Sequence, residues 1–356
     1  MRIERIVLRD FRSYEVAELA LGPGLTIVYG ANGAGKTNLL EGLYFGCTAR
    51  SFRTTNERNL VRFGAGATRV VVSGGDQDGP HELAVGFVPG EAKRLTSDGA
   101  PVERLSDVGH RPLASVFSPD RLELIKGQPG LRRAHLDAFV AALWPTRAAT
   151  RRAYHEALAQ RNALLARVRA GRSPSDALLP WNLTLAEAGV QLAADRSAAA
   201  GRIADGFARR AAELGIDGAA TLSYRPRSHA SSAEGLASEL AGRLDADLAR
   251  GYSTHGPHRD ELLLARDKRE LRAFGSQGEQ RLALLALLLA ERDALAAERD
   301  RPPLMLLDDV MSELDLARRE RLAGELRRGG QSVVTATELE HVPGWDGDDV
   351  TRICVP

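Results

Sequence analysis

The 356-residue chain is 44% hydrophobic, with 48 basic and 47 acidic side chains, enough apolar material for a core spread over two or three domains. A net charge of +1 does not advertise a polyanionic partner for the molecule as a whole. The opening MRIERIVLRDF alternates instead of following the basic-then-apolar order of a secretory leader, and the longest apolar run, Leu282 to Ala290, is too short to span a bilayer. Cys47 and Cys354 lack the paired spacing of a zinc site or a disulfide framework, so a reducing cytoplasm is the expected compartment.

Residues 1–30 read as strands, RIERIVLRDF, YEVAEL and LTIVYG, followed by a helix through NLLEGLYFG. From Arg69 to Leu105 short alternating runs with the turn pair Asp98-Gly99 predict an antiparallel meander. Leu136, Phe139, Val140, Leu143 and Trp144 recur at helical spacing, and this periodicity continues to Val168, where Gly171 and Pro174 end it. A second helical stretch covers Asp176 to Leu214, then a strand-like TLSYRPR and one more helix, so residues 121–245 read as a mostly helical insertion. After Gly256 come strands, a helix from Ser276, a buried strand from Pro303 to Leu307, another helix and the β-like QSVVTAT.

Charge is unevenly distributed. Residues 111–172 hold about 12 Arg and Lys against about four acids, an excess of roughly +8. That segment is either a nucleic-acid surface, with Arg132, Arg133, Arg151 and Arg152 as candidate DNA contacts, or a solvated helix face in an arginine-rich chain.

Gly30-Ala31-Asn32-Gly33-Ala34-Gly35-Lys36-Thr37 matches GxxxxGK[ST] between a predicted strand and a predicted helix, the context that makes it a phosphate loop. In such a loop backbone amides curl around phosphates, Lys36 meets the β and γ phosphates of ATP, and Thr37 holds Mg²⁺. Asp308 ends the apolar run Leu304 to Leu307, the Walker B arrangement for the same metal. Asp309 then falls near the γ phosphate as candidate base or water-positioning group. The plain alternative for the pair is a helix cap or a solvated turn. Ser276-Gln277-Gly278-Glu279 opens a helix and, alone, reads as an N-cap with a capping-box glutamate.

Taken in order, Ser276, Gly278 and Glu279, then Asp308, then Ser312-Glu313-Leu314-Asp315 resemble the signature, Walker B and D-loop of ABC-type ATPases. The resemblance narrows to the RecF family of bacterial recombination mediators. It is carried by Phe11-Arg12-Ser13-Tyr14, GANGAGKTNLLEGLY, Val116 to Leu122, Gly256-Pro257-His258-Arg259-Asp260, SQGEQR and LLDDVMSELD. It implies an α/β ABC-type head, with a mixed central sheet and an antiparallel β meander, over 1–120 and 246–356, the helical lobe over 121–245 being inserted into it. It also implies a cytoplasmic, slowly hydrolysing ATPase that uses ATP and Mg²⁺ and dimerises with ATP on DNA, duplex or at single-strand/duplex junctions. With RecR and RecO such a protein helps RecA load at gaps. By the same resemblance Arg12, Arg53, Ser276, Gly278, Glu279, Asp315 and Thr335 join the nucleotide site, and Lys36, Asp308 and Asp309 are catalytic; the alternative for Arg53 is a plain surface arginine.

This sequence departs from the wider superfamily in places. Gly275 and Gln277 replace the frequent Leu and Gly, Ser118 stands at the Q-loop glutamine, and Thr335 or Thr337 stands where a switch histidine is usual. His258 has no chemical role readable from sequence. A transporter's nucleotide-binding subunit would show LSGGQ, a Walker B glutamate and the switch histidine, all altered here. An overcoming-lysogenisation-type nuclease needs a further metal-binding domain, for which the chain leaves no residues.

Overall fold

A computed structural model describes all 356 residues, which fall into two compact units, 1–121 with 295–356, and 122–294. The first unit opens with β1 (Arg2–Phe11), β2 (Tyr14–Ala20) and β3 (Leu25–Tyr29), then α1 (Lys36–Thr48). It continues through β4 (Thr68–Asp76), β5 (Gly79–Phe87), β6 (Arg94–Ser97), β7 (Ala100–Pro101) and β8 (Ala114–Phe117). β2, β1, β4, β5, β6 and β7 lie in that order in one antiparallel sheet. Alternation decides its faces: Ile3, Ile6, Leu8, Val70, Val72, Leu83 and Val85 are buried, while Arg5, Arg9 and Arg69 point outward. The predicted turn at Asp98-Gly99 is present, both residues having positive φ of 50° and 80°, as the tight hairpin between β6 and β7 needs. α1 lies close on this sheet because Gly42 and Gly46 face it; a Cβ at either would come within 2.7 Å of Leu8 or Val72.

The second unit contains α2 (Glu123–Lys126), α3 (Pro129–Leu143), α4 (Ala148–Arg169) and α5 (Leu178–Glu213). β9 (Ala220–Arg225), α6 (Ala233–Ala241), α7 (Leu244–Arg250), β10 (Glu261–Arg266), β11 (Arg269–Glu270) and α8 (Leu271–Phe274) follow, and α9 (Gln277–Arg299) begins here. The continuous helical periodicity from Leu131 to Val168 is in fact two helices. Pro145, which has no amide proton to continue the ladder, separates α3 from α4. The single helix expected after β9 is likewise two. Residues 246–294, expected with the ATPase head, pack in the second unit, because β10 pairs antiparallel with β9, Leu264 opposite Leu222.

A buried polar network fixes the segment Gly256 to Asp260. Arg196 on α5 grips Asp137 through two bonds of 2.7 and 3.1 Å and donates to the Pro257 carbonyl at 2.7 Å. Asp260 accepts from the Arg227 amide at 2.6 Å and from the Tyr224 hydroxyl. His258, without an account from sequence, has a structural one. Its Nε2 lies 2.9 Å from the Ser253 carbonyl, which can only accept, and its Nδ1 lies 2.7 Å from the Tyr154 hydroxyl. The ring is therefore the neutral Nε2–H tautomer.

Within the first unit the chain continues with β12 (Leu304–Leu307), α10 (Leu316–Arg328), β13 (Ser332–Ala336) and β14 (Thr351–Cys354). These complete a parallel sheet ordered β14, β3, β13, β12, β8. Its central strands β3, β13 and β12 are buried on both faces, as a parallel sheet covered on both sides requires, while edge strand β14 exposes Arg352 and Cys354. Gln331 ties the two sheets together, accepting from the Ile3 amide at 3.0 Å and donating to the Gly22 carbonyl at 2.8 Å.

Burial lowers the His258 pKa to about 4. Between that value and the ordinary 6.5 the unfolded chain binds a proton that the folded chain refuses, so this contribution is complete above pH 6.5 and is lost as pH falls toward 4. It amounts to at most about 3 kcal/mol. His258→Gln can keep both hydrogen bonds without titrating. Urea unfolding at pH 7 and pH 4.5 should show a shallower acid loss in that variant than in the parent; equal losses would remove His258 from the acid limb.

Candidate nucleotide site

Parallel register brings the functional loops to one edge. Ala336 lies opposite Tyr29, Val334 opposite Leu307, and Leu307 opposite Phe117. The phosphate loop after β3, the acids after β12 and Ser118 after β8 therefore leave the sheet at its carboxyl end, the place where open parallel sheets bind ligands. Gly30 begins the loop with φ of 150°, and a Cβ there would come within 2.2 Å of the Val355 carbonyl oxygen. Gly35 caps α1 in a left-handed conformation without any side-chain bond, and the first turn contains no acid. The helix N-terminus thus keeps its amides and partial positive charge for an anion.

Lys36 is 9% exposed, and its ammonium donates to the Gly30 and Ala31 carbonyls at 2.7 and 2.9 Å. Next to it, the Thr37 hydroxyl lies 2.9 Å from both carboxylate oxygens of Asp308. The buried Thr335 hydroxyl donates to Asp308 Oδ1 at 2.9 Å and accepts the Asp309 amide at 2.8 Å. Desolvation raises the Asp308 pKa, and the hydroxyls of Thr335 and Thr37 oppose that shift. The donor set suits Mg²⁺, which takes hard oxygens about 2.0–2.1 Å away.

Asp309 is exposed and has φ of 48°. Aspartate and asparagine tolerate that left-handed conformation better than longer side chains do. Thr335, rather than Thr337, reaches the acid pair; Thr337 instead meets His341 Nδ1 at 3.2 Å. Ser118 is buried and its hydroxyl has no hydrogen-bond partner. Asp315 caps α10, accepting the Arg318 amide at 2.9 Å.

Arg12 and Arg53 converge on a residue that the motif search missed. Glu41 on α1 is fully buried and takes Arg12 through two bonds of 2.8 and 2.7 Å, Arg53 at 3.3 Å and the Ser51 hydroxyl. Arg53 also donates to Asn38 Oδ1 at 3.0 Å. An acid amid the apolar run of NLLEGLY was the available signal.

In the second unit the signature forms a complete capping box. The Ser276 amide donates to Glu279 at 2.7 Å, and the Glu279 amide to Ser276 Oγ at 3.3 Å. Arg266 pairs with the same glutamate. Ser276 and Gly278 are exposed. Of the four arginines proposed for DNA, Arg132 is 3% exposed and spent internally, bonding Glu261 at 2.7 and 3.1 Å and the Gly127 carbonyl at 2.9 Å. Arg133 donates to the Asp260 carbonyl at 2.8 Å, and Arg151 pairs with Asp137 at 3.2 Å. Only Arg152 is exposed with no ion pair. Within this segment Arg132, Arg133, Arg147, Arg151 and Arg161 bond inside the helical unit, while Arg152, Arg167, Arg169 and Arg172 are exposed.

No helix is long and apolar enough to cross a membrane. A family model described as an AAA domain matches residues 5–81. The chain is 38% identical to the DNA replication and repair protein RecF of an Anaeromyxobacter species, covering 98% of this chain and 96% of that one. It is 37% identical to the RecF of Acidothermus cellulolyticus, covering 94% of each. Among solved structures, the recombination mediator RecF with ATP, described in the RecFOR pathway, superposes with a TM-score of 0.86 at 27% identity, covering 95% of this chain and 92% of that one. An Smc head bound to the C-winged helix domain of ScpA gives a TM-score of 0.57 at 18% identity over 95% and 90%, a likeness of fold alone. An ABC-type ATPase head with identity of this extent to proteins of one name places the chain in the RecF family of DNA replication and repair proteins.

Proposed function

We propose that the chain is a cytoplasmic ATP-gated DNA clamp of recombinational gap repair: it dimerises on ATP, hydrolyses it slowly, and acts with RecR and RecO in loading RecA at single-strand gaps. The observation that carries the nucleotide part is the hydroxyl–carboxylate cluster of Thr37, Asp308 and Thr335 beside a lysine already directed into the phosphate loop. Lys36 and the α1 amides bind and orient the β and γ phosphates. Thr37 and Asp308 hold Mg²⁺, which supplies charge neutralisation at the phosphates. Asp309, exposed beside them, orients the attacking water and takes its proton. Its carboxylate is one methylene shorter than the usual glutamate, which makes the approach to water less favourable and the chemistry slow. Arg12 and Arg53 bring two positive charges to one buried carboxylate, leaving a net positive surround for the nucleotide.

The dimer reading rests on the exposed signature. Ser276 and Gly278 lie exposed at the start of α9, accessible to the γ phosphate held by a second copy. Each composite site then takes Lys36 from one chain and Ser276 from the other. Lys36→Met should lose ATP binding, and Ser276→Arg should bind ATP without dimerising. An equal mixture restores one composite site per heterodimer, so ATP-dependent association should partly return in sedimentation. Ser276→Asn, which keeps the N-cap, controls for folding. Association of Ser276→Arg alone at parental strength would rule out the clamp.

Asp309→Asn accepts the same left-handed backbone and removes only the charge, so turnover should fall by about 100-fold or more while ATP-dependent dimers persist; parental turnover would take Asp309 out of the mechanism. Thr335→Val removes both the donor to Asp308 and the acceptor of the Asp309 amide. It should lower stability by about 1–3 kcal/mol and turnover by at least tenfold, with ATP still bound through Lys36. Steady-state kinetics beside nucleotide titration separates the two effects.

A further inference from the structure

The outer face of the antiparallel sheet carries a row of arginines that no motif covers. Arg9 on β1 is directly opposite Arg69 on β4, Arg69 is opposite Gly86 on β5, and Gly86 is opposite Arg94 on β6. All three arginines are exposed. The side chains of Arg9 and Arg69 make no ion pair or hydrogen bond, and Arg94 has only an exposed contact with Glu91 at 3.4 Å. Like charges directly opposite on a sheet destabilise it. With 47 acids available for 48 bases, composition does not force this arrangement.

The row has a floor and an edge. Between Arg69 and Arg94 the sheet is flat at Gly86 and Ala84, and a groove of about 300 Å³ lies there, walled by Phe87 and Ala92. At the same end of β1 and β4, the Arg62 amide is pinned to the Asp10 carbonyl at 2.8 Å and Thr68 Oγ1 to the Arg9 carbonyl at 2.9 Å. The loop held between those anchors presents Phe63, which is 100% exposed. A line of exposed guanidinium groups, Arg9 and Arg69 unpaired and Arg94 with only its contact to Glu91, with a solvated aromatic at its end is the chemistry that holds a single-stranded nucleic acid, charge for the phosphates and a ring face for a base. An acidic protein segment would match the charge but gives a bare phenyl ring nothing to stack on.

The geometry points to this face as a track for single-stranded nucleic acid: Arg9, Arg69 and Arg94 contact successive phosphates, and Phe63 stacks on a base. The inference rests on the DNA-binding reading above and gives it a surface in place of the internally spent Arg132 and Arg133.

The test uses the full chain with saturating ATP and a fluorescent oligo-dT, titrated over a range of salt. The triple variant Arg9→Gln/Arg69→Gln/Arg94→Gln should bind at least tenfold more weakly, with its log–log salt slope reduced by about 2, as loss of three single-strand phosphate contacts requires. Phe63→Ala should lose about 5- to 150-fold, the span of base–aromatic stacking, with its salt slope unchanged. ATP turnover should match the parent in both, and thermal unfolding should be no lower, with a small gain in the triple variant from relief of the opposed Arg9 and Arg69 charges. If the triple variant fails to fold, Arg69→Gln and Phe63→Ala, single changes at exposed positions, decide the matter on the same readouts. Failure of the parent to bind any DNA would overturn the DNA-binding reading itself. Normal binding by the parent with equal affinity and slope in the variants would overturn this track alone. Stronger displacement of the parent's oligo-dT by polyglutamate than by unlabelled oligo-dT at equal charge would assign the face to an acidic protein and overturn it as well.

Discussion

A carboxylate removed from water must be satisfied where it stands, and the first unit is arranged around one such group. Asp308 is 8% exposed and is held by hydroxyls from two other segments, Thr37 at the start of α1 and Thr335 near the end of β13. A one-residue slip in the pairing of β12 with β13 would turn Thr335 to the opposite face and strip Asp308 of that donor. The apolar pairing of the parallel sheet is therefore tied to the electrostatics of the site, and Gln331 extends the same register to the antiparallel sheet.

Charge around the phosphate loop follows a similar logic. Lys36, Arg12 and Arg53 share one region of α1 with a single buried acid, Glu41. Glu41 fixes the arginines by bidentate and monodentate contacts, so their positions do not depend on a ligand to order them. Preorganised positive charge in a partly buried setting acts on an anion without reorganisation at the moment of binding.

What could be read from sequence was what depends on local backbone chemistry. The phosphate loop announces itself because glycines, a lysine and a threonine must stand at fixed offsets between strand and helix, and β12 shows as an uninterrupted apolar run before Asp308. The capping box at Ser276 and Glu279 was equally local, and it forms. What escaped depended on partners distant in the chain. Arg132 sits at a helical position that looks no different from a surface arginine until Glu261, 129 residues away, closes on it. Glu41 looked like part of a motif block rather than its electrostatic centre. The extent of the second unit is not legible in sequence because β10 is a short apolar strand whose choice between two sheets is set by pairing with β9, which periodicity does not encode. β14 is not legible either, since TRIC carries little strand signal apart from its neighbour β3.

The strand order has a consequence for how the chain is made. β3 lies between β13 and β14, segments that follow it by about 300 residues. During synthesis at roughly 5–20 residues per second, the apolar LTIVY strand leaves the ribosome and waits on the order of tens of seconds before either neighbour exists. The phosphate loop that follows it waits too, because Val355 walls Gly30 and the Val355 amide donates to Tyr29. The antiparallel sheet and the helical unit, whose pairings are much closer in sequence, can form in that interval, but β3 pairs with neither of their sheets. The wall behind the phosphate loop is thus completed only after β13 and β14 have been made.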